Sequence, residues 1–338
     1  MLKRRKVGII GAGWVTAYHL PAWQKQAHRV ELAAIADPAS AAARSRADAF
    51  GIPKTYSDAK AMLAAEDLDI VDIAAPREFH AELVGLVAAR GLDMLCQKPL
   101  ATSYGAAEVV VAGLPPTTRL MVHENWRFRA WYRRMKQWLD EGLAGGVRQV
   151  SLDFMSSGMI LADGDRPALV RQPFFRTQQR LLVMEVLVHQ IDTLRYLLGE
   201  MDVVAARLER SNDDIVAEDV ATITLRRRSD GVLLQVLGNL AVHGQPPTPR
   251  DRLRIFGSRG TLELDGNRLS AYGPAPRSET FDADATYQGS YDAAIAHFLD
   301  GLDAGGVFET SPAENLLTLK LVEDIYALSQ FDAMKEPL

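Results

Sequence analysis

Cysteine is nearly missing. Cys96 is the single one among 338 residues, which excludes an internal disulfide and suits a reducing compartment. No apolar run reaches the roughly 18 residues a membrane-spanning helix needs, and no signal-peptide pattern opens the chain; a cytoplasmic setting is the expectation. Basic tails are missing too. The net charge is −5, and the one short cluster, Lys3 to Lys6, runs straight into a β-rich segment, so nucleic acid and anionic membranes are poor partners. Internal repeats and low-complexity stretches are also lacking, which removes solenoids and disordered tracts. What is present is the balance of a globular protein with real cores, 48% apolar and 24% charged, at a length that suggests two domains.

The first third alternates. Strand-like 6–10 (KVGII), 30–36 (VELAAIA), 69–75 (DIVDIAA), 92–96 and 120–124 are separated by helical patterns at 14–26, about 38–49, 78–90 and 102–112. Strands alternating with helices of that length imply right-handed βαβ units and a parallel sheet. From 125 onward the alternation stops. A helix is expected at 129–141, a strand at 147–156, a polar arginine-rich stretch at 158–180 and a helix at 182–198. Five β-segments then follow, at 203–210, 219–227, 232–241, 251–256 and 260–264, before helices at about 290–303 and 312–330. Clustered strands point to a largely antiparallel sheet with helices on one face. The expected fold is therefore α/β: a doubly wound parallel sheet over 1–124, then an α+β domain with an open sheet over 125–338.

The first turn carries chemistry. G11-A-G13-W-V-T16 is a near match to GxGxxG, lying between a strand and a helix as a Rossmann fingerprint must. Gly11 would allow the tight turn, and Gly13 would let a pyrophosphate approach the backbone at a helix N-terminus, with Trp14 and Val15 completing the cradle. Thr16 stands where Gly or Ala is usual. Asp37 ends the second strand; there a carboxylate can bind the adenosine ribose hydroxyls and repel a 2′-phosphate, although Asp-Pro is also a common turn. NAD(H) is the expected cofactor. Arg44 leaves an opening for NADP.

Gly11 and Gly13 with His19, then Ala75-Pro76 followed by His80, and Gln97-Lys98-Pro99 together resemble the Gfo/Idh/MocA oxidoreductases, named for glucose–fructose oxidoreductase and inositol dehydrogenase. The resemblance implies that Lys98, in the position of the lysine of a Glu-Lys-Pro motif, reaches the nicotinamide and the reacting hydroxyl; Gln97 replaces the family's Glu. It also makes a cis Lys98–Pro99 bond plausible. Ligands of doubly wound sheets bind at the carboxyl ends of the strands, and an ammonium there can donate to an oxygen gaining negative charge. A lysine that merely snorkels from a strand end is the alternative. The resemblance places Ala75, Pro76, His80 and Gln97 at cofactor-contacting turns, while buried helix histidines would account for His19 and His80 almost as well.

In E185-V-L-V-H189 the two side chains lie four apart on one helical face. The family implication is that His189 accepts the hydroxyl proton, near-neutral titration suiting the task, and that Glu185, where most members have Asp, orients it or binds a neighbouring hydroxyl. A core histidine, or a Glu–His metal pair, would have the same spacing; with no third ligand and no HExxH, no metal is expected. Asp192 reads as a structural cap or pair. Asn125 and Arg127 match a family position at the cofactor–substrate junction, with Trp126 and Phe128 as core. Arg166, Arg171, Arg176 and Arg180 either shape a substrate site, Arg176 foremost, or form a solvated face. The expected activity is oxidation of a hydroxyl of a sugar, inositol or related polyol, aldose to lactone included, at a site assembled between the two domains of a homodimer or homotetramer. An NAD-dependent glycosidase and a non-enzymatic NAD(P)-binding regulator are the alternatives.

Overall fold

The computed structural model describes residues 4–332; Lys3, the first residue of the basic cluster, lies outside them. Two compact units result. One takes the chain up to Phe128 together with Tyr287–Leu319, the other Arg129–Thr286 together with the chain from Lys320 on.

In the first unit, β1 (Arg5–Ile10), α1 (Thr16–Lys25), β2 (Val30–Ala36), α2 (Ser40–Phe50), β3 (Lys54–Tyr56), α3 (Ala59–Ala65), β4 (Ile70–Ile73), α4 (His80–Ala88), β5 (Asp93–Gln97), α5 (Tyr104–Ala112) and β6 (Leu120–His123) follow in turn. Every neighbouring pair of strands is parallel, in the order β3-β2-β1-β4-β5-β6. That is the Rossmann arrangement, with its switch point between β1 and β4. The middle strands are largely apolar: Val7, Ile9, Ile70, Val71, Ile73, Met94 and Leu95 are all fully buried, as a sheet covered on both faces requires, with Asp72 a buried polar exception on β4. This unit departs from a boundary at 124. A long helix near the chain's end, α9 (Ala283–Ala304), sends Tyr291, Ala294, Ile295, Phe298 and Leu299 into one cluster with Val7, Ile9, Leu20, Trp23 and Phe128. That apolar face draws 287–319 out of the second half of the sequence, because its burial partners lie on β1 and α1. The ion pairs Arg29–Asp300 and Arg5–Asp303 border it.

In the second unit, α6 (Ala130–Asp140), β7 (Val147–Met155), α7 (Pro167–Arg171) and α8 (Val188–Leu198) precede β8 (Met201–Glu209), β9 (Val220–Arg227), β10 (Leu233–Asn239), β11 (Arg250–Gly257), β12 (Thr261–Asp265), β13 (Arg268–Tyr272) and β14 (Arg277–Thr280); of α10 (Pro312–Ser329), the part from Lys320 on belongs to this unit. The eight strands run β14-β13-β12-β11-β7-β10-β9-β8, antiparallel except for β10 on β7. Two of them, β13 and β14, are only five and four residues long, and β14 has no apolar residue, which left them without a visible pattern in the sequence. The run 232–242, apolar to the eye, sorts by strand geometry instead. Leu234 and Val236 point inward with Val150, Leu152, Ile223, Leu225, Leu253 and Ile255, while Leu233, Gln235 and Leu237 point outward beside Arg252–Glu263 and Arg254–Asp153 pairs. The outward face is mixed rather than apolar. Gly238 lets the chain before α8 lie close on β10, since a Cβ there would meet the Leu187 Cδ1 at 2.9 Å.

Candidate active site

The glycine turn is built as its spacing requires. Gly11 has φ of +105°, and a Cβ on it would meet the Ala74 carbonyl oxygen at 2.5 Å; only glycine fits where β1 crosses the end of β4. Gly13 differs. It is exposed, and a Cβ there would touch nothing within 4 Å, so the cradle above it is open for a phosphate group to reach the backbone. Trp14 is 56% exposed at its rim, its ring edge-on to Tyr18 at 5.1 Å. The Thr16 hydroxyl donates to the Gly13 carbonyl at 2.6 Å, so the third motif position ties the turn rather than loosening it. Asp37 accepts the Ala12 N–H on one oxygen and the Ala39 N–H on the other, each at 2.7 Å. It closes its own turn and staples the glycine loop, and each oxygen keeps a lone pair for a further donor. Arg44 is exposed on α2, whereas Arg46, which the sequence did not single out, donates to the Gly13 carbonyl at 3.3 Å.

At the carboxyl end of β5 the chain turns at Lys98, which is half-buried, and the Lys98–Pro99 bond is cis. His80 is 1% exposed; its Nδ1 lies 2.7 Å from the Pro99 carbonyl and its Nε2 2.9 Å from that of Ala75. It ties the Ala75–Pro76 turn to the lysine turn and is a strut beneath them. Burial favours its neutral form and lowers its pKa, with the two carbonyls pulling the other way. Cys96 is fully buried and its thiol pushed up by that burial, so it is inert. Gln97 is 9% exposed. Its Oε1 accepts the Lys98 N–H at 2.7 Å and its Nε2 lies 3.1 Å from the His19 Nε2. His19 in turn places Nδ1 2.8 Å from Asp72 Oδ2, to which the Trp23 indole also donates at 2.7 Å. Gln97 and His19, expected at cofactor-contacting turns, are thus bonded to each other, with Gln97 also on the Lys98 N–H and His19 on Asp72. Asp72 gave no signal, because an Asp within a short strand carries no motif of its own. Asn125 and Arg127 are buried at 2% and 4%. Asn125 donates to the Ser290 Oγ at 2.7 Å and Arg127 to the Glu309 carbonyl at 3.0 Å, so both bind the strand exit to the 287–319 segment. Phe128 is core and Trp126 half-buried.

In the second unit the expected helix 182–198 is not uniform. Leu182–Leu187 form one π-helical turn, and α8 begins at Val188. Glu185 thus lies in the π-helical turn and His189 in the first turn of α8. His189 is 9% exposed and Glu185 half-buried. The start of this turn is capped by a residue the sequence reading missed. Glu218, fully buried, accepts the Leu181 and Val183 N–H groups at 3.3 and 3.0 Å and the Tyr326 hydroxyl; burial pushes its carboxyl up. The arginines of 158–180 are largely spent on ion pairs. Arg166 meets Asp214 at 2.6 Å, Arg176 meets Asp165 at 2.8 Å, and Arg180 grips Glu323 with two nitrogens. Arg176 remains 39% exposed in its pair. Among the described residues no group of three His, Cys, Asp or Glu side chains could hold a metal, and no helix is long and apolar enough to cross a membrane.

Comparison with known proteins agrees with this build. Residues 5–122 match the oxidoreductase family with an NAD-binding Rossmann fold, and 132–263 match the GFO/IDH/MocA C-terminal domain. The chain is 32% identical to a D-apiose dehydrogenase of Paraburkholderia graminis over 96% of this chain and 88% of that one. It is 31% identical to a D-apiose dehydrogenase of Rhizobium rhizogenes over 95% and 94%. Among solved structures, an oxidoreductase from Agrobacterium radiobacter in complex with NAD+, L-tartaric acid and magnesium superposes with a TM-score of 0.88 at 31% identity, covering 97% of both chains. With the strand order, the glycine turn and the lysine turn on one unit, the chain belongs to the Gfo/Idh/MocA family of oxidoreductases and carries its NAD-binding Rossmann fold.

Proposed function

We propose that this chain is an NAD-dependent dehydrogenase oxidising a hydroxyl of a small sugar, with an aldose such as D-apiose, converted to its lactone, as the first substrate to test. The observation that carries the reading is Lys98, half-buried at the carboxyl end of β5, on the same sheet edge as the open cradle over Gly13. Two relatives above 30% identity named D-apiose dehydrogenase support the substrate class. Gly11, Gly13, Trp14, Val15, Asp37, Ala75 and Pro76 would hold the dinucleotide, which when bound supplies the hydride acceptor. His189 removes the hydroxyl proton as a general base. Lys98 donates to the same oxygen while its negative charge grows. Glu185 and the exposed edge of Arg176 are assigned to neighbouring hydroxyls. Asn125 and Arg127, buried and bonded within their unit, support the strand exit instead. Association into a dimer or tetramer through the outward sheet face completes the reading, and a strictly monomeric mass at micromolar concentration would count against it.

Free aldoses, inositols and polyols offered with NAD, and followed by NADH formation, test the function. NADH release with D-apiose or a close aldose is the expected result. Sugar-bond cleavage without net NADH would assign a glycosidase, and NAD binding with no turnover of any sugar a regulator.

A further inference from the structure

The Gln97–His19–Asp72 chain runs through the heart of the first unit, and its polarity can be worked out from both ends. At one end, the side chain of Gln97 meets the Lys98 N–H at 2.7 Å. A backbone N–H donates, so this end of the amide is the oxygen, and the other end, toward His19, is the NH2. At the far end, Asp72 Oδ2 lies 2.8 Å from His19 Nδ1 and already accepts the Trp23 indole N–H. A carboxylate accepts, so His19 carries its proton on Nδ1. Both ends require the same state: a neutral imidazole whose Nε2 lone pair receives the Gln97 N–H across 3.1 Å. His19 and Asp72 are fully buried. The His123 ring from β6 lies 4.3 Å away and that of Tyr291 from α9 5.4 Å away, and burial keeps the Cys96 thiol beside Asp72 protonated.

We propose that Gln97 is a positioning residue for Lys98, held through His19 by Asp72 in a hydrogen-bond chain that fixes a single tautomer of His19. The inference rests on Lys98 acting at the reacting hydroxyl. Its physical content is the choice of amide over carboxylate. A glutamate at 97 could still accept the Lys98 N–H, but its second oxygen would face the His19 Nε2 lone pair, and two acceptors cannot share a bond. Such a chain closes only when His19 gains a second proton and sits as an imidazolium between two carboxylates. The amide closes the chain with its protons already in place, whereas the acid would need one more.

The test uses the full-length protein, wild type and Q97E, with 15N-labelled histidine. In the wild type one buried imidazole should show the Nδ1–H tautomer at neutral pH, and in Q97E the same ring should shift towards the doubly protonated form. Turnover should follow the ring. Q97E should approach wild type at low pH, where its carboxylate accepts the Lys98 N–H, and lose at least about tenfold relative to wild type as pH rises. Gln97→Met, which removes both bonds without adding charge, should lower kcat about tenfold at every pH while leaving NAD affinity within about twofold; it carries the test should Q97E fold poorly. A wild-type His19 protonated on Nε2, or a Q97E pH profile superimposable on wild type, would overturn the proposal. Should Lys98→Ala turn over normally while the ring signature is as expected, the catalytic reading fails and the positioning role with it, leaving the tautomer assignment intact.

Discussion

The two glycines of the first turn should fail in opposite ways when each gains one methyl group. Gly11 has φ of +105°, and its added Cβ would lie 2.5 Å from the Ala74 oxygen, 2.7 Å from the Ala74 carbon and 2.9 Å from the Ala75 nitrogen. All three are backbone atoms of the chain leaving β4, so none can swing aside. Left-handed strain costs about 1–2 kcal/mol for a non-glycine residue and overpacking about 1–3 kcal/mol more. Gly11→Ala should therefore destabilise the first unit by about 3 kcal/mol, which at this size lowers its melting temperature by roughly 6–12 °C. Gly13→Ala should leave melting nearly unchanged, because its Cβ meets no protein atom within 4 Å. That same space is where a pyrophosphate would approach the backbone, so NAD affinity should fall at least about tenfold, or about 1.4 kcal/mol. Differential scanning fluorimetry and isothermal titration of both variants separate the two effects. Wild-type NAD affinity in Gly13→Ala would refute the placement of the pyrophosphate, and wild-type melting in Gly11→Ala would refute the clash.

Lys98→Ala and His189→Ala should each lower turnover by about 100-fold or more with NAD affinity nearly intact, and the double variant should fall short of the product, since both serve one transition state; normal turnover by His189→Ala would remove it from the chemistry. NAD should bind at least about tenfold more tightly than NADP, because Asp37 would meet a 2′-phosphate as a like charge; competitive titration decides it, and tighter NADP binding would shift attention to Arg44 and Arg46. The pH dependence of stability should carry a His80 component. Burial lowers its folded pKa below the unfolded value, so its contribution is complete above about pH 6.5 and is lost as pH falls through the folded value. Urea midpoints of wild type should drop more between about pH 7.5 and about pH 5.5 than those of His80→Gln; equal drops would exclude it.

Periodicity and motif spacing were enough to read the parallel sheet, the glycine turn, the Asp37 position and the lysine turn from the chain alone, because each is a local pattern that a βαβ unit can realise in only one way. The short strands β13 and β14 stayed hidden, since their pairing depends on a neighbour rather than on their own composition. So did the return of 287–319 to the first unit, which rests on a helix face whose apolar partners on β1 and α1 lie more than two hundred residues earlier. At the site, sequence order named Gln97, His19 and His80 but could not say which atoms they face. That was decided by tertiary packing: Asp72 and Trp23 complete a chain behind Gln97, His80 bridges two carbonyls, and Glu218 caps the turn before His189. Such bonds, from a few to more than fifty positions apart, follow no fixed spacing that could be read; only the fold brings donor to acceptor.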